Sequence, residues 1–412
     1  MSPPPPGPTP IGASSVRSSA IQATDDVATA TGTRTFAMPL DPLLALAALG
    51  LAIASVVTLG PATQNVIAGQ PDYYVHRQVL YLVVGGLLML LLSRIDYGRL
   101  RRLKVGIYAL LILSILAVLG AGHSAQGAQR AIALPGFSFQ ASELGKVLLI
   151  LALSAFVVDR ARRLRERDTT VRVMLAALIP AMFVIAQPDL GSGMVYMVIA
   201  FVLLFIAGTP FKQLAALLAL VVLSLSFVLV AAPAAGVHVL KPYETERLTA
   251  FLHPTTNAQK QGYQQEESKI AIGSGQKTGR GTQAPLTRLN YVPENHTDFV
   301  FSAVGEQYGF VGASLVLSLY ALLIWRTLRI LVMSKDLFGS LIAAGVAAML
   351  MFQVFVNVGM TIGIMPITGV TLPLMSYGGS SVITTLLAVG LLQSIYVQAR
   401  ASQALKGRVL RY

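Results

Sequence analysis

Asp298 stands in the run His296-Thr297-Asp298-Phe299, where a long polar stretch gives way to an apolar one. A carboxylate at the rim of a membrane helix is costly to desolvate, so an ionisable group there points first to function. The competing role is structural: Thr297 or Asp298 could cap a helix whose first amides lack partners. A second constellation is Glu143 with Lys146, three positions apart at the start of another apolar run and therefore on one helical face. It reads either as a mutually satisfied ion pair or as a lysine that meets a phosphate while its acid orients it.

Three further stretches are rich in polar and turn-forming residues. Gln187-Pro-Asp-Leu-Gly-Ser192 interrupts two apolar runs with almost no loop, which a tight turn explains. Ser268-Lys-Ile-Ala-Ile-Gly-Ser-Gly275, with Lys277 and Arg280 after it, sets glycines beside cations. That combination suits an anion-binding surface, but it matches neither the P-loop nor the dinucleotide fingerprint. Gly363 to Ser381, GIMPITGVTLPLMSYGGSS, holds prolines and glycines between two apolar runs. Irregular backbone at membrane depth is tolerated where it lines a cavity or is buried in protein. Ser380 and Ser381 lack the Gly-x-Ser-x-Gly elbow of a nucleophile and read as small residues for close helix packing.

The elements that must position these groups are membrane helices. Hydrophobic residues make up 54% of the 412 and charged residues 12%, with a mean hydropathy of +0.67, which excludes an ordinary soluble domain. Apolar segments of the length that crosses a hydrocarbon core of about 30 Å recur along the chain. Ten are expected, near 43–62, 79–94, 105–121, 143–159, 172–187, 191–208, 214–233, 299–325, 337–361 and 381–398. The expected fold is an all-α polytopic membrane protein with a large extracytoplasmic loop, about 234–298, between the seventh and eighth helices. Residues 1–38, rich in Pro, Ser, Thr and Ala, read as a disordered cytoplasmic tail, 39–400 as the transmembrane domain and 401–412 as a basic cytoplasmic tail.

The net charge of +13 resides in short loops, with Arg94, Arg99, Arg101, Arg102 and Lys104 in one and Arg160, Arg162, Arg163, Arg165 and Arg167 in another. Such clustering sets topology and does not indicate nucleic acid. It places both termini in the cytoplasm, and the polar segments 121–142, 234–298 and 363–380 on the outer face of a plasma membrane. The absence of cysteine excludes disulfides and thiolate metal sites.

Taken together, Pro293-Glu294 with His296-Thr-Asp-Phe299, Gly305-Glu-x-x-Gly-Phe-x-Gly312, the runs at 187–191 and 268–275, and Leu372-Pro-x-x-Ser-Tyr-Gly-Gly-Ser-Ser381 resemble the SEDS family, the shape, elongation, division and sporulation proteins. The likeness extends from about residue 40 onward. Ser268 to Gly275 followed by Gly281-Thr-Gln283 is closer to the elongation member RodA than to the division member FtsW. The resemblance implies a peptidoglycan glycosyltransferase that polymerises lipid II and works with a class B penicillin-binding transpeptidase. It also matches Asp298 to the family's essential acid, and Glu143 and Lys146 to its acid and lysine. Ala131, Ala141 and Gln276 depart from the family pattern, at places where tryptophan, proline and glycine are usual.

The implied reaction has one sugar hydroxyl displace undecaprenyl pyrophosphate from another lipid II, so a carboxylate must take the hydroxyl proton, and Asp298 is the expected general base. The pyrophosphate calls for cations or a divalent metal. Arg77, Arg130, Lys146, Arg247 and Lys269 are the cations at hand, with Glu143, His296 and Thr297 completing the expected substrate-binding set. Two alternatives use the same residues: a lipid II flippase, and a non-catalytic scaffold for a transpeptidase. A transporter would carry ionisable groups near the bilayer midplane, whereas here they gather at the outer rim.

Overall fold

A bilayer offers the backbone no hydrogen-bond partners, so apolar runs of this length close their amides within helices. In the computed structural model, which describes residues 39–67, 69–121, 123–125, 128–134, 137–226, 261–289 and 294–409, these are α1 (Pro42–Thr63), α2 (Tyr73–Arg94), α3 (Lys104–Ala121), α4 (Ala141–Asp159), α5 (Arg167–Ala186), α6 (Leu190–Ile206), α7 (Phe211–Ser226), α9 (Val300–Met333), α10 (Leu337–Thr361) and α11 (Gly379–Val409), with a polar helix α8 (Gln261–Ser274) ahead of α9. Seven of them (α1, α2, α4, α5, α9, α10 and α11) are long and apolar enough to cross a membrane, and α3, α6 and α7 are shorter apolar helices. Each expected span falls on one of these ten. The tail 1–38 and residues 227–260 lie outside the described residues, and α11 runs through most of the segment expected as a basic tail.

Aspartates start several helices in the way the sequence pattern predicts. Asp41 Oδ1 accepts from Leu44 N ahead of Pro42, Asp189 Oδ1 from Ser192 N, and Asp336 Oδ1 from Gly339 N. Burial then sorts the spans into layers. The apolar windows of α4, α10 and α11 are 83%, 72% and 89% buried, against 17% for α2 and 28% for α9. Helices apolar all round belong inside a bundle, so α4, α10 and α11 form the centre. Glycines allow the closest approach there: a Cβ on Gly390 would lie 2.8 Å from Met89 O, and one on Gly345 would meet the Ile150 side chain.

Two features depart from the all-helical expectation. Between α3 and α4 the chain forms a three-stranded antiparallel sheet, β1 (His123–Ala125), β2 (Ala128–Leu134) and β3 (Phe137–Phe139), in the order β1-β2-β3. Leu134 pairs with Phe137 and Ile132 with Phe139. The other departure is a break in α9 at Gly309, whose φ of 63° and ψ of −157° are not helical. There the loop after α8 replaces the helix's own ladder: Phe310 N donates to Gln276 O, Val311 N to Lys277 O, and Arg280 N to Glu306 O. The segment between α7 and α9 thus contributes a helix and a loop that pack into one end of the bundle. Gln265 Nε2 donates to the carbonyls of Met360 and Met365, and Ser268 Oγ donates to Thr361 O at the end of α10.

Candidate functional site

Asp298 lies in the turn 294–299 that leads into α9, and the fold holds the backbone of this turn from several sides. Glu294 opens it at φ 57°, and its carbonyl accepts from Thr297 N and Phe299 N. Ser376 Oγ donates to Thr297 O at 2.5 Å, and Tyr377 N donates to His296 O at 2.8 Å. Asn357 Nδ2, fully buried in α10, donates to both Asp298 O and Val370 O at 2.7 Å. The capping position of α9 falls on Phe299, one residue beyond Asp298. Thr297 turns its hydroxyl away from the helix, toward the Glu294 carboxylate at 2.9 Å.

The turn forms one wall of a cleft of about 430 Å³. Glu294, Thr297, Asp298 and Phe299 line it on that side, Arg77 and Tyr81 of α2 on another, and Ser138 and Gln140 at the edge of the sheet. Thr371 and the run Tyr377 to Ser381 close it. Close packing is evident at Gly379, where a Cβ would lie 2.7 Å from the Phe137 ring. Ser380 Oγ accepts from Gln140 N and donates to Ser138 O, which pins the sheet to the start of α11.

Glu143 and Lys146 sit behind this wall. Lys146 Nζ and Glu143 Oε1 are 2.6 Å apart, with side chains 1% and 5% exposed. Opposite charges at that depth are tolerated where each is the other's partner. Thr371 Oγ1 reaches Glu143 Oε1 at 3.5 Å and shares a hydrogen bond with Ser381 Oγ at 3.0 Å, so the pair connects to the cleft through two residues of its lining. The turn at 187–192 fastens the same region. Asp189 Oδ2 accepts from Ser142 Oγ at 2.8 Å, Gln187 Nε2 donates to Ile115 O, and Gly191 leaves room for Val370.

Among the described residues Arg77 is the cation that lines the cleft; its guanidinium lies 4.3 Å from the Tyr73 ring centroid and hydrogen-bonds Tyr377. Burial pushes the Tyr377 phenol well above its ordinary range, with Arg77 opposing in part, so it serves as a neutral donor. His296 packs in a cluster with Tyr74 and Tyr377, at centroid distances of 4.8 and 6.0 Å. Burial lowers its pKa while Glu294 opposes, which favours a neutral imidazole. Lys269 is on α8, paired with Glu266 at 2.9 Å and lying over Gly363. The glycines that follow it admit α9, since a Cβ on Gly275 would lie 1.9 Å from Gly305 O. Arg130 is on β2, and Arg247 lies outside the described residues. No three His, Cys, Asp or Glu side chains converge on a metal site among the described residues. Glu294 and Asp298 are the carboxylates lining the cleft, a set that suits a Mg²⁺-type ion, which takes one or two carboxylates together with substrate phosphate oxygens.

Sequence reasoning missed Asn357, Thr371 and Ser376 as supports of the site. The signal for Asn357 was present: an amide in the apolar run Val354-Phe-Val-Asn-Val-Gly359 is a polar group inside the membrane.

Comparison with known proteins places this arrangement. A family profile described as "Cell cycle protein", covering FtsW, RodA and SpoVE, matches residues 39–401. The "Probable peptidoglycan glycosyltransferase FtsW" of Thioalkalivibrio sulfidiphilus is 36% identical over 375 residues, 89% of this chain and 91% of that protein. The "Peptidoglycan glycosyltransferase RodA" of Treponema pallidum is 34% identical over 385 residues, 77% of this chain and 88% of that protein. Identity to these two therefore does not separate an elongation member from a division member. Among solved structures, a chain from a study of the coordination of polymerization and crosslinking by a peptidoglycan synthase complex superposes with a TM-score of 0.73 at 33% identity, covering 89% of this chain and 99% of that one. The Rod shape determining protein RodA of Thermus thermophilus gives 0.62 at 30% identity, covering 87% and 97%. With apolar helices throughout the described residues, a cleft at one end of the bundle and a family match over nearly the whole of it, the chain belongs to the FtsW/RodA/SpoVE family of cell cycle proteins.

Proposed function

We propose that this protein is a peptidoglycan glycosyltransferase that polymerises lipid II in the cleft beside Asp298, with Asp298 as general base. The observation that carries the reading is the placement of that carboxylate: a half-buried acid on the wall of a cleft at one end of the bundle, with its backbone held by Asn357 and its neighbours by Ser376 and Tyr377. A base must be fixed within hydrogen-bond reach of the hydroxyl it deprotonates, and a turn clamped through its backbone carbonyls supplies that fixity. Arg77, Tyr377 and Thr371 supply donors across the cleft for the departing pyrophosphate. Glu143 and Lys146 support that wall from behind. A divalent ion held at Glu294 and the substrate's phosphate oxygens would supply further charge stabilisation to the leaving group.

The likeness to a chain of a synthase complex supports a crosslinking partner, a class B transpeptidase, acting on the strands this protein makes. The charge pattern supports the cleft facing outward, with both termini in the cytoplasm. The experiment is polymerisation of lipid II by the purified protein, alone and with the transpeptidase. The expected result is glycan strands with release of undecaprenyl pyrophosphate. Folded protein that yields no strands in either condition would contradict the reading.

A further inference from the structure

At the end of α4 opposite the cleft, a second groove opens between α3, α4 and α5, with a volume of about 460 Å³. Its walls are apolar, with Val105, Leu153, Leu175 and Ile179 among them, and the small side chains of Ala152 and Ala176 keep it open. The polar group inside is already satisfied, because Tyr108 OH donates to Ala176 O at 3.0 Å. Such a lining offers nothing to a polar solute and suits hydrocarbon.

The mouth of the groove is basic. Lys104 begins α3, Arg160 follows the last residue of α4, and Arg172 stands in the second turn of α5, so all three come to one end of the bundle. Local acids do not balance them. Lys104 and Arg101 share the single carboxylate of Asp159, and Arg172 pairs with Asp168 where both are exposed. Arg160 has no carboxylate within ion-pair distance among the described residues; its guanidinium lies over the Phe156 ring at 3.9 Å, on the groove wall. The surrounding chain adds to the field, with five cations against one acid in 94–104 and six arginines against three acids in 159–172. A hydrocarbon-lined groove in a membrane-spanning bundle, closed at one end by a cation excess, fits the shape and charge of a lipid whose headgroup is anionic.

We propose that this groove binds an anionic phospholipid, its acyl chains along α3, α4 and α5 and its phosphate at Arg160, with Lys104 and Arg172 beside it. The site is separate from the cleft, and the proposal does not depend on the reaction assigned there. The test is to equilibrate the full-length protein with vesicles of equal phosphatidylglycerol and phosphatidylcholine, extract it, and count retained lipids by native mass spectrometry. The protein retains phosphatidylglycerol in preference to phosphatidylcholine. Each cation near an anionic headgroup is worth about a fivefold change in affinity, so Arg160→Gln with Arg172→Gln weakens retention about 30-fold. Ala176→Phe keeps every charge but fills the groove, and it also loses the lipid. Arg329→Gln removes an exposed cation at the same end of the bundle, outside the groove, and retains it. Equal retention of the two lipids by the unaltered protein would overturn the proposal. So would undiminished phosphatidylglycerol on both the double arginine variant and Ala176→Phe.

Discussion

Around Asp298 the fold fixes backbone carbonyls, with Asn357, Ser376 and Tyr377 each donating to one of them. The acids and the lysine of the site were legible in the sequence because a charge inside or beside an apolar run has few innocuous explanations. Asn357, Thr371 and Ser376 were not, since neutral polar residues are common in membrane helices and loops and the site residues they reach lie 10 to 228 positions away. The buried pair behind the wall gives a residue-scale prediction. Lys146→Met leaves the Glu143 carboxylate without its cation at a site 5% exposed and destabilises the protein by about 3–5 kcal/mol. Adding Glu143→Gln removes the stranded charge and restores the folded state, but not lipid II polymerisation, because Thr371 has lost the charged acceptor it reaches. Thermal unfolding and polymerisation, measured on both variants, check this. Full activity in the double variant would remove the pair from the site.

At the scale of elements, the helices were readable and the irregular pieces were not. Long apolar runs announce spans by length alone, whereas strands of three residues, such as β1 and β3, are too short to show a period. The break in α9 was hidden for a related reason, since a glycine in an apolar run is ordinary and only its partner, the loop 276–280, reveals its use. Gly309 adopts φ 63° and ψ −157° and would place a Cβ 2.4 Å from Gly279 N. An alanine there meets both a backbone conformation that L residues avoid, worth about 1–3 kcal/mol, and a clash with main chain that cannot swing aside. Gly309→Ala is therefore expected to lower the unfolding temperature, while Gly86→Ala in α2, where a Cβ meets nothing within 4 Å, leaves it unchanged or raised. Equal unfolding temperatures for Gly309→Ala and the parent would mean that the loop does not lock the break.

Across the whole molecule, the cleft and the arginine-dense loops lie at opposite ends of the same central helices. The cleft gathers the starts of α4, α9 and α11, and the basic loops join α2 to α3 and α4 to α5. If charge sets orientation, the cleft faces outward. The chain contains no cysteine, so single introduced cysteines report topology cleanly. Thr282→Cys, exposed in the outer loop, should react with an impermeant thiol reagent in cells whose outer barrier is opened, and Arg165→Cys, exposed between α4 and α5, should not. The reverse pattern would invert the bundle and place the cleft on the cytoplasmic side.

The central claim is that the Asp298 carboxylate accepts a proton during strand growth, and the most direct measurement is lipid II polymerisation by Asp298→Asn. Asparagine keeps the size of the side chain and caps a helix about as well as aspartate, so the variant should insert and unfold like the parent. Loss of a general base costs on the order of 10² to 10⁴ in rate, and the expected result is a folded protein whose polymerisation falls by that factor. An Asp298→Asn protein that builds glycan strands at close to the parental rate would contradict the assignment.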